Sequence, residues 1–246
     1  MSNLPMHLLL LQAPNPQLAD RRPPAAALLA LLSLGLLSLA VAGCVTSRVE
    51  ESKNTATGIG SNESVVILAT SYHQGNKTEA SFLDCVNDEL DGGRDAVKVY
   101  PSQQFLDELF PWFEPRTMPQ GIEGLPELLA RPGVAERITE RGVRYLVWVK
   151  GSTEETSGGG GMSCAASTVG GGCFGLVWWE NDGAYEAAVW DLQKAARAGN
   201  VSADVHGTSV VPALIVPLPF IARTQTAACK SLARELRQFI VQAGPS

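Results

Sequence analysis

Val143-Arg144-Tyr145-Leu146-Val147-Trp148-Val149-Lys150 is a run of β-branched and aromatic residues with charges only at its second and last positions. It reads as a strand. It follows a segment that opens on Pro132-Gly133 and closes on Gly142, and proline near the first turn with glycine after the last marks a short helix. Upstream, Val65-Val66-Ile67-Leu68-Ala69 is an unbroken apolar run of the kind found in a central strand. Between the two, Phe82, Leu83, Val86 and Leu90 repeat at helical spacing over 78–90, and Gly92-Gly93 ends that helix. Residues 96–100 form a further strand candidate. Ser102 is placed to cap a short helix carrying Phe105, Leu106, Leu109 and Phe110, and Pro111, Pro115 and Pro119 make the next stretch a loop. Downstream, 173–180 and 184–191 read as two arms of a hairpin turning at Asn181-Asp182-Gly183. Val201, Ala203 and Val205 then alternate with Ser202, Asp204, His206 and Thr208. Last comes an amphipathic helix over 224–242, with Ala228, Leu232, Leu236, Phe239 and Ile240 on its core face. This order predicts an α/β (α+β) fold over 65–246: a single mixed sheet with helices packed on it, antiparallel in its second half.

The chain has 246 residues, 45% of them hydrophobic and 18% charged, enough for a core that does not depend on cross-links. With 19 Lys+Arg against 25 Asp+Glu, the net charge of -6 argues against a nucleic-acid binder, which needs a basic face.

Residues 1–43 carry an address. Arg21-Arg22 precede a charge-free stretch whose apolar centre spans 25–40, and small residues then lead into Cys44. Charge, apolar run and small-residue exit are the parts of a secretory signal. The exit Val41-Ala42-Gly43-Cys44 resembles the lipobox of bacterial lipoproteins. That resemblance implies acylation of the Cys44 thiol with diacylglycerol, cleavage before it, and usually a further palmitate-type chain on the new amino terminus. Two or three such chains make membrane attachment nearly permanent. An uncleaved signal anchor is the alternative reading of the same run. A twin-arginine signal fits poorly, because Pro23-Pro24 follows the arginines. Val45, where Asp would favour retention in the inner membrane, implies by the same resemblance an outer-membrane lipoprotein with its domain in the periplasm. Residues 44–64 are polar and lack periodicity, which predicts a flexible tether.

The mature domain resembles small periplasmic α/β domains of the TolB amino-terminal and CsgG secretion-lipoprotein types. The features that carry this are the Val-Val-Ile-Leu opening strand at 65–68, Arg144-Tyr145-Leu146-Val147 after a Gly142-ended helix, Ala188-Val189-Trp190-Asp191-Leu192 leading to a Val201 strand, and Thr226-Ala227-Ala228-Cys229-Lys230 at the start of the closing helix. The resemblance speaks to fold far more than to function.

Beyond Cys44, an even set of cysteines in an exported chain favours disulfides. Four cysteines allow three pairings. Cys164 with Cys173, across a glycine-rich loop, and Cys85 with Cys229, both on predicted helices, form the favoured set, with buried thiols as the alternative for Cys85 and Cys229. Their spacing does not fit a structural zinc site, and neither His73 nor His206 has a second ligand near it in sequence, so neither a metal nor another cofactor is expected. The runs Gly158-Gly159-Gly160-Gly161 and Gly170-Gly171-Gly172 lack the lysine of a phosphate loop. They read as a long hairpin loop. The patterns at Asn62, Asn76 and Asn200 match glycosylation acceptors that a bacterial lipoprotein is not expected to use.

Candidate chemistry is sparse. Gly161-Met162-Ser163-Cys164-Ala165 falls short of a nucleophile elbow, and His206 lies on a polar strand face. Adjacent acids such as Glu154-Glu155 point apart. Trp112 and Phe113, in a proline-rich loop, and Trp178-Trp179, on opposite faces of a strand, are the candidate interaction surface. The reading that follows is a lipid-anchored, non-catalytic binding or assembly domain with an envelope protein as partner. The alternatives are an envelope hydrolase using Ser163 or His206, and an oligomeric secretion-associated lipoprotein. For the latter, the 210–220 stretch, interrupted by Pro212, Pro217 and Pro219, offers poor strand chemistry.

Overall fold

The computed structural model describes residues 44–70, 77–93, 95–114, 116–168, 170–213 and 221–241. The predicted signal segment, His73, Asn76, Pro217 and Pro219 lie outside the described residues. Five strands, β1 (Val45–Lys53), β2 (Ser64–Ala69), β3 (Val143–Ser167), β4 (Gly170–Asp191) and β5 (Ala196–Ala213), form one sheet in the order β1-β5-β4-β3-β2. β2 runs parallel to β3, and every later pairing is antiparallel. The mixed sheet with an antiparallel second half is therefore the one the hydrophobic pattern predicts.

Helices cover both faces. α1 (Ala80–Asp91) and α5 (Thr224–Val241) pack on one side, where Phe82, Val86, Leu232, Leu236 and Phe239 meet Val147, Val149, Tyr185, Ala187 and Val201. α2 (Ser102–Glu108), a 3-10 turn (Ile122–Gly124), α3 (Leu125–Leu129) and α4 (Val134–Thr139) pack on the other, around Val66, Leu68, Leu146 and Trp148. Alternation along β3 sends Tyr145, Val147 and Val149 to the first layer and Leu146 and Trp148 to the second. Apolar residues at every position of 145–149 are thus the mark of a strand buried on both faces. Two disulfides join Cys85 to Cys229, tying α1 to α5, and Cys164 to Cys173, across β3 and β4. These are the favoured pairs.

Four expectations need correction. Residues 45–53 are not part of a tether: Val45–Lys53 pairs in antiparallel register with β5, from Val45 opposite Gly207 to Lys53 opposite Gly199. An edge strand that is mostly exposed needs little apolar alternation: in β1 Val49 packs against the core, while Ser47 and Lys53 on the same face reach α5 through hydrogen bonds to Ser231 and the Phe239 carbonyl. The chain after it is also fixed: the Tyr145 hydroxyl donates to the Gly58 carbonyl at 2.8 Å, and the Thr57 hydroxyl donates to the Phe239 carbonyl.

Asn181-Asp182-Gly183 is not a turn. β4 passes straight through it, with Asp182 opposite Glu154 on one side and His206 on the other. Ladder bonds on both flanks override the local turn preference, and the glycine serves packing instead. A Cβ at Gly183 would meet Thr153 Oγ1 at 3.2 Å, the Tyr185 ring at 3.3 Å and Thr224 Cγ2 at 3.6 Å, so α5 begins close against the sheet here. The reversal between β3 and β4 comes instead at the far end of the glycine-rich segments, which are strand and not loop. Finally, 96–100 contributes a single parallel bridge, Val99 to Val65, at the edge of β2.

A buried ion pair closes the end of the sheet opposite the glycine-rich segments. Arg144 donates from Nε and Nη2 to the two Asp191 carboxylate oxygens, each at 3.0 Å, and Asp191 is fully buried. Asp191 Oδ1 also accepts the Gln193 and Lys194 backbone N–H groups, at 2.9 and 3.1 Å, shaping the β4–β5 connection. The bond to Asp191 holds the Arg144 guanidinium above its ordinary pKa. Removing one partner of such a pair strands the other. The substitution Arg144→Leu is expected to cost about 3 kcal/mol, read as a lower urea midpoint at unchanged slope.

Candidate functional site

Two places bring polar groups together. The first is a cleft of about 360 Å³ at the start of α5, lined by Thr153, Asn181, Ala222, Arg223, Thr224, Gln225 and Thr226. Beside it, the Glu79 carboxylate accepts the Thr153 backbone N–H at 2.9 Å and the Tyr185 hydroxyl at 2.8 Å, and Thr153 Oγ1 lies 2.8 Å from that same hydroxyl. The Tyr185 ring stacks on Phe82 at 3.6 Å between centroids. Burial, with Glu79 as acceptor, pushes the Tyr185 hydroxyl well above its ordinary pKa. The cluster ties β3, β4 and the start of α1 together. Its hydroxyl is held protonated and committed to an acceptor, the opposite of an activated nucleophile.

The second place is the end of the sheet at which β1 begins. Thr208 donates its backbone N–H to the Cys44 carbonyl at 3.1 Å, and Val45 stands opposite Gly207. Cys44 is exposed. Beyond this level β3, β4 and the last residues of β5 run on as a ribbon that no described helix covers, with Cys164 bonded to Cys173 near its tip.

The candidate hydrolase residues do not meet. Ser163 stands opposite Phe174 on this ribbon, while His206 stands opposite Asp182 and pairs with it at 2.6 Å. Eight strand residues along β4 separate the two levels, roughly 26 Å at 3.3 Å per residue. The His206–Asp182 pair is exposed, and such pairs contribute little. Among the described residues no group of three or more His, Cys, Asp and Glu is placed to hold a metal ion.

The aromatic candidates divide. Phe113 is fully buried, meeting Phe105 edge-on at 5.1 Å, and Trp112 packs against the same core under the Arg137 guanidinium at 5.2 Å. The proline-rich loop thus folds back over the α2–α4 layer, and Trp112 and Phe113 are removed from the interaction surface. Their apolar area is satisfied where the short helices alone would leave the sheet thinly covered. Phe110, in contrast, is exposed. Trp178 and Trp179 remain half-buried on the ribbon, on opposite faces. The sequence carried one signal of this ribbon that motif reading passes over: from 156 through 179 the chain has no charged residue.

No family model and no curated protein matches this chain. The match to solved structures is weak. A point variant of the PelC dodecamer from Paraburkholderia phytofirmans shares 12% identity over 80% of this chain and 99% of that one, with a TM-score of 0.37. A second PelC dodecamer from the same organism shares 14% identity over the same fractions, with a TM-score of 0.34. At those scores the likeness carries no inference for this protein.

Raised tyrosine pKa values have a sign that can be checked. A hydroxyl whose pKa is higher in the folded chain adds stability that is complete below the ordinary tyrosine pKa of 10.0 and is lost as pH rises beyond it. Stability is expected to fall as pH rises above ~10, and Tyr185→Phe is expected to flatten that fall while costing about 1–2 kcal/mol at neutral pH. Urea unfolding across that rise in pH measures both. Ser163→Ala and His206→Ala are expected to stay within about 0.5 kcal/mol of the parent in the same assay.

Proposed function

We propose that this chain is a lipid-anchored protein of the bacterial envelope whose domain works by binding or assembly and carries out no catalysis of its own. The observation that carries the reading is the Val41-Ala42-Gly43-Cys44 exit at the end of an uninterrupted apolar run. Acylated at its thiol, Cys44 is residue one of the mature chain. Val45 after it favours the outer membrane, with the domain in the periplasm. One further observation supports this: paired cysteines belong to an oxidising compartment. No helix among the described residues is long and apolar enough to cross a membrane.

The folded sheet starts at Val45, one residue after that cysteine. An anchor there holds the domain directly at the membrane surface, where a tether would have let it stand several nanometres away. Partners are then met within reach of the bilayer.

Mass analysis of the protein purified from membranes is expected to find Cys44 at the amino terminus, bearing acyl chains. Cys44→Ser is expected to abolish that mass shift and the cleavage before residue 44. Parent protein that retains residues 1–43, or that is cleaved elsewhere with a free Cys44 thiol, would overturn the anchor. Cross-linking in intact cells tests the assembly role: one envelope protein recovered in near-equal amount is the expected result, and only a random sample of envelope proteins would count against it.

A further inference from the structure

We propose that the ribbon formed by 157–168 and 170–179, with the last residues of β5, is a tongue that contacts the bilayer, entering the headgroup region through Phe174, Leu176 and Trp178. The proposal rests on the reading that the membrane attaches at Cys44.

Four observations meet here. First, charge stops at one level. Glu155 is the last charged residue on β3 before the tip, Glu180 is the first on β4 after it, and Asp204 is the last on β5 among its described residues. Below that level Glu154, Glu155, Glu180, Asp182 and Asp204 make an acidic belt; above it the described ribbon has no charge at all. Second, Cys44 sits at this boundary: Thr208, which bonds to its carbonyl, is the register partner of Glu180. Third, β1 is antiparallel to β5 and enters the sheet from the tongue end, so the anchor and the charge-free ribbon share one end of the molecule.

Fourth, the apolar side chains form a row. Phe174, Leu176 and Trp178 alternate onto one face of β4, and the register adds Pro212 opposite Leu176 and Val210 opposite Trp178. Phe174 is 71% exposed and Leu176 48% exposed. Their neighbours on β3 are Ser163, Gly161 and Gly159, too small to cover them. The Cys164–Cys173 bond fixes the strands next to this row, so it is preformed. An uncovered row of aromatic and aliphatic groups costs free energy in water, and it has a use beside a membrane.

The edges set the depth. On the side away from β4, the outer edges of β3 beyond Val149 and of β5 beyond Thr208 pair with no strand among the described residues. Open edges keep their backbone groups satisfied only where water or headgroups reach them, so the tongue lies in the interface and does not span the hydrocarbon.

The test uses the full chain, purified from membranes and reconstituted in phosphatidylethanolamine–phosphatidylglycerol vesicles with brominated acyl chains. Bromines near the headgroup are expected to quench tryptophan fluorescence more than deep ones, and Trp178→Phe is expected to remove most of that quenching. Phe174→Ser with Leu176→Ser, both exposed and so compatible with folding, is expected to lower vesicle partitioning of the mature chain, residues 44–246 with Cys44→Ser and therefore without acyl chains or the apolar 25–40 run, by about tenfold or more. Acylated chain that floats with vesicles but shows no Trp178 quenching would overturn the tongue and leave the anchor standing. Quenching that persists when mass analysis finds Cys44 unmodified would support the tongue and remove the anchor. Loss of quenching together with cross-links between tongues of two copies would replace the lipid contact with self-assembly.

Discussion

From Gly175 to Asp191, β4 is hydrogen-bonded on both flanks, to β3 on one side and β5 on the other. The rest of the molecule depends on that. Two-sided pairing over such a length fixes the register of three long strands at once, and with it the face to which each side chain points. The helical layers then follow, because each covers one set of alternating residues. The same ladder carries the pairing beyond the helices into a ribbon that has no core of its own.

The two ends of this sheet are built on opposite principles. At one end, the buried Arg144–Asp191 pair and its backbone donors tie β3, β4 and the β4–β5 connection into a fully satisfied polar network. At the other, charge is absent and glycine is frequent, and apolar side chains are left without cover. A buried carboxylate is tolerable only where its partners are supplied, which makes the first end structural. Uncovered rings and aliphatic groups gathered in one row cost free energy in water, which is what marks the second end as a candidate contact surface.

An anchor one residue from a strand has a mechanical consequence. A tethered domain samples many orientations, whereas the attachment proposed at Cys44 would restrict them, with the tongue end toward the bilayer and the Arg144–Asp191 end away from it. On that proposal Glu154, Glu155, Glu180, Asp182 and Asp204 would lie just outside the membrane surface.

The sequence by itself determined the elements with strong periodicity: Val65–Ala69 and Val143–Lys150 as strands, and the helices near 80–91 and 224–241, together with the mixed sheet they imply. These were legible because burial on one or both faces leaves a repeating apolar mark on the chain. Tertiary structure decided what has no local mark. Residues 45–53 are mostly polar, with Val49 alone packed against the core, and become a strand because β5 offers an unpaired edge. Asn181-Asp182-Gly183 has the composition of a turn, yet ladder bonds on both sides hold it extended. Trp112 and Phe113 look like surface in a proline-rich loop and are drawn inward because the short helices leave room for them. The tongue was hidden for the same reason: glycine-rich chain reads as loop until a register through β4 makes it strand.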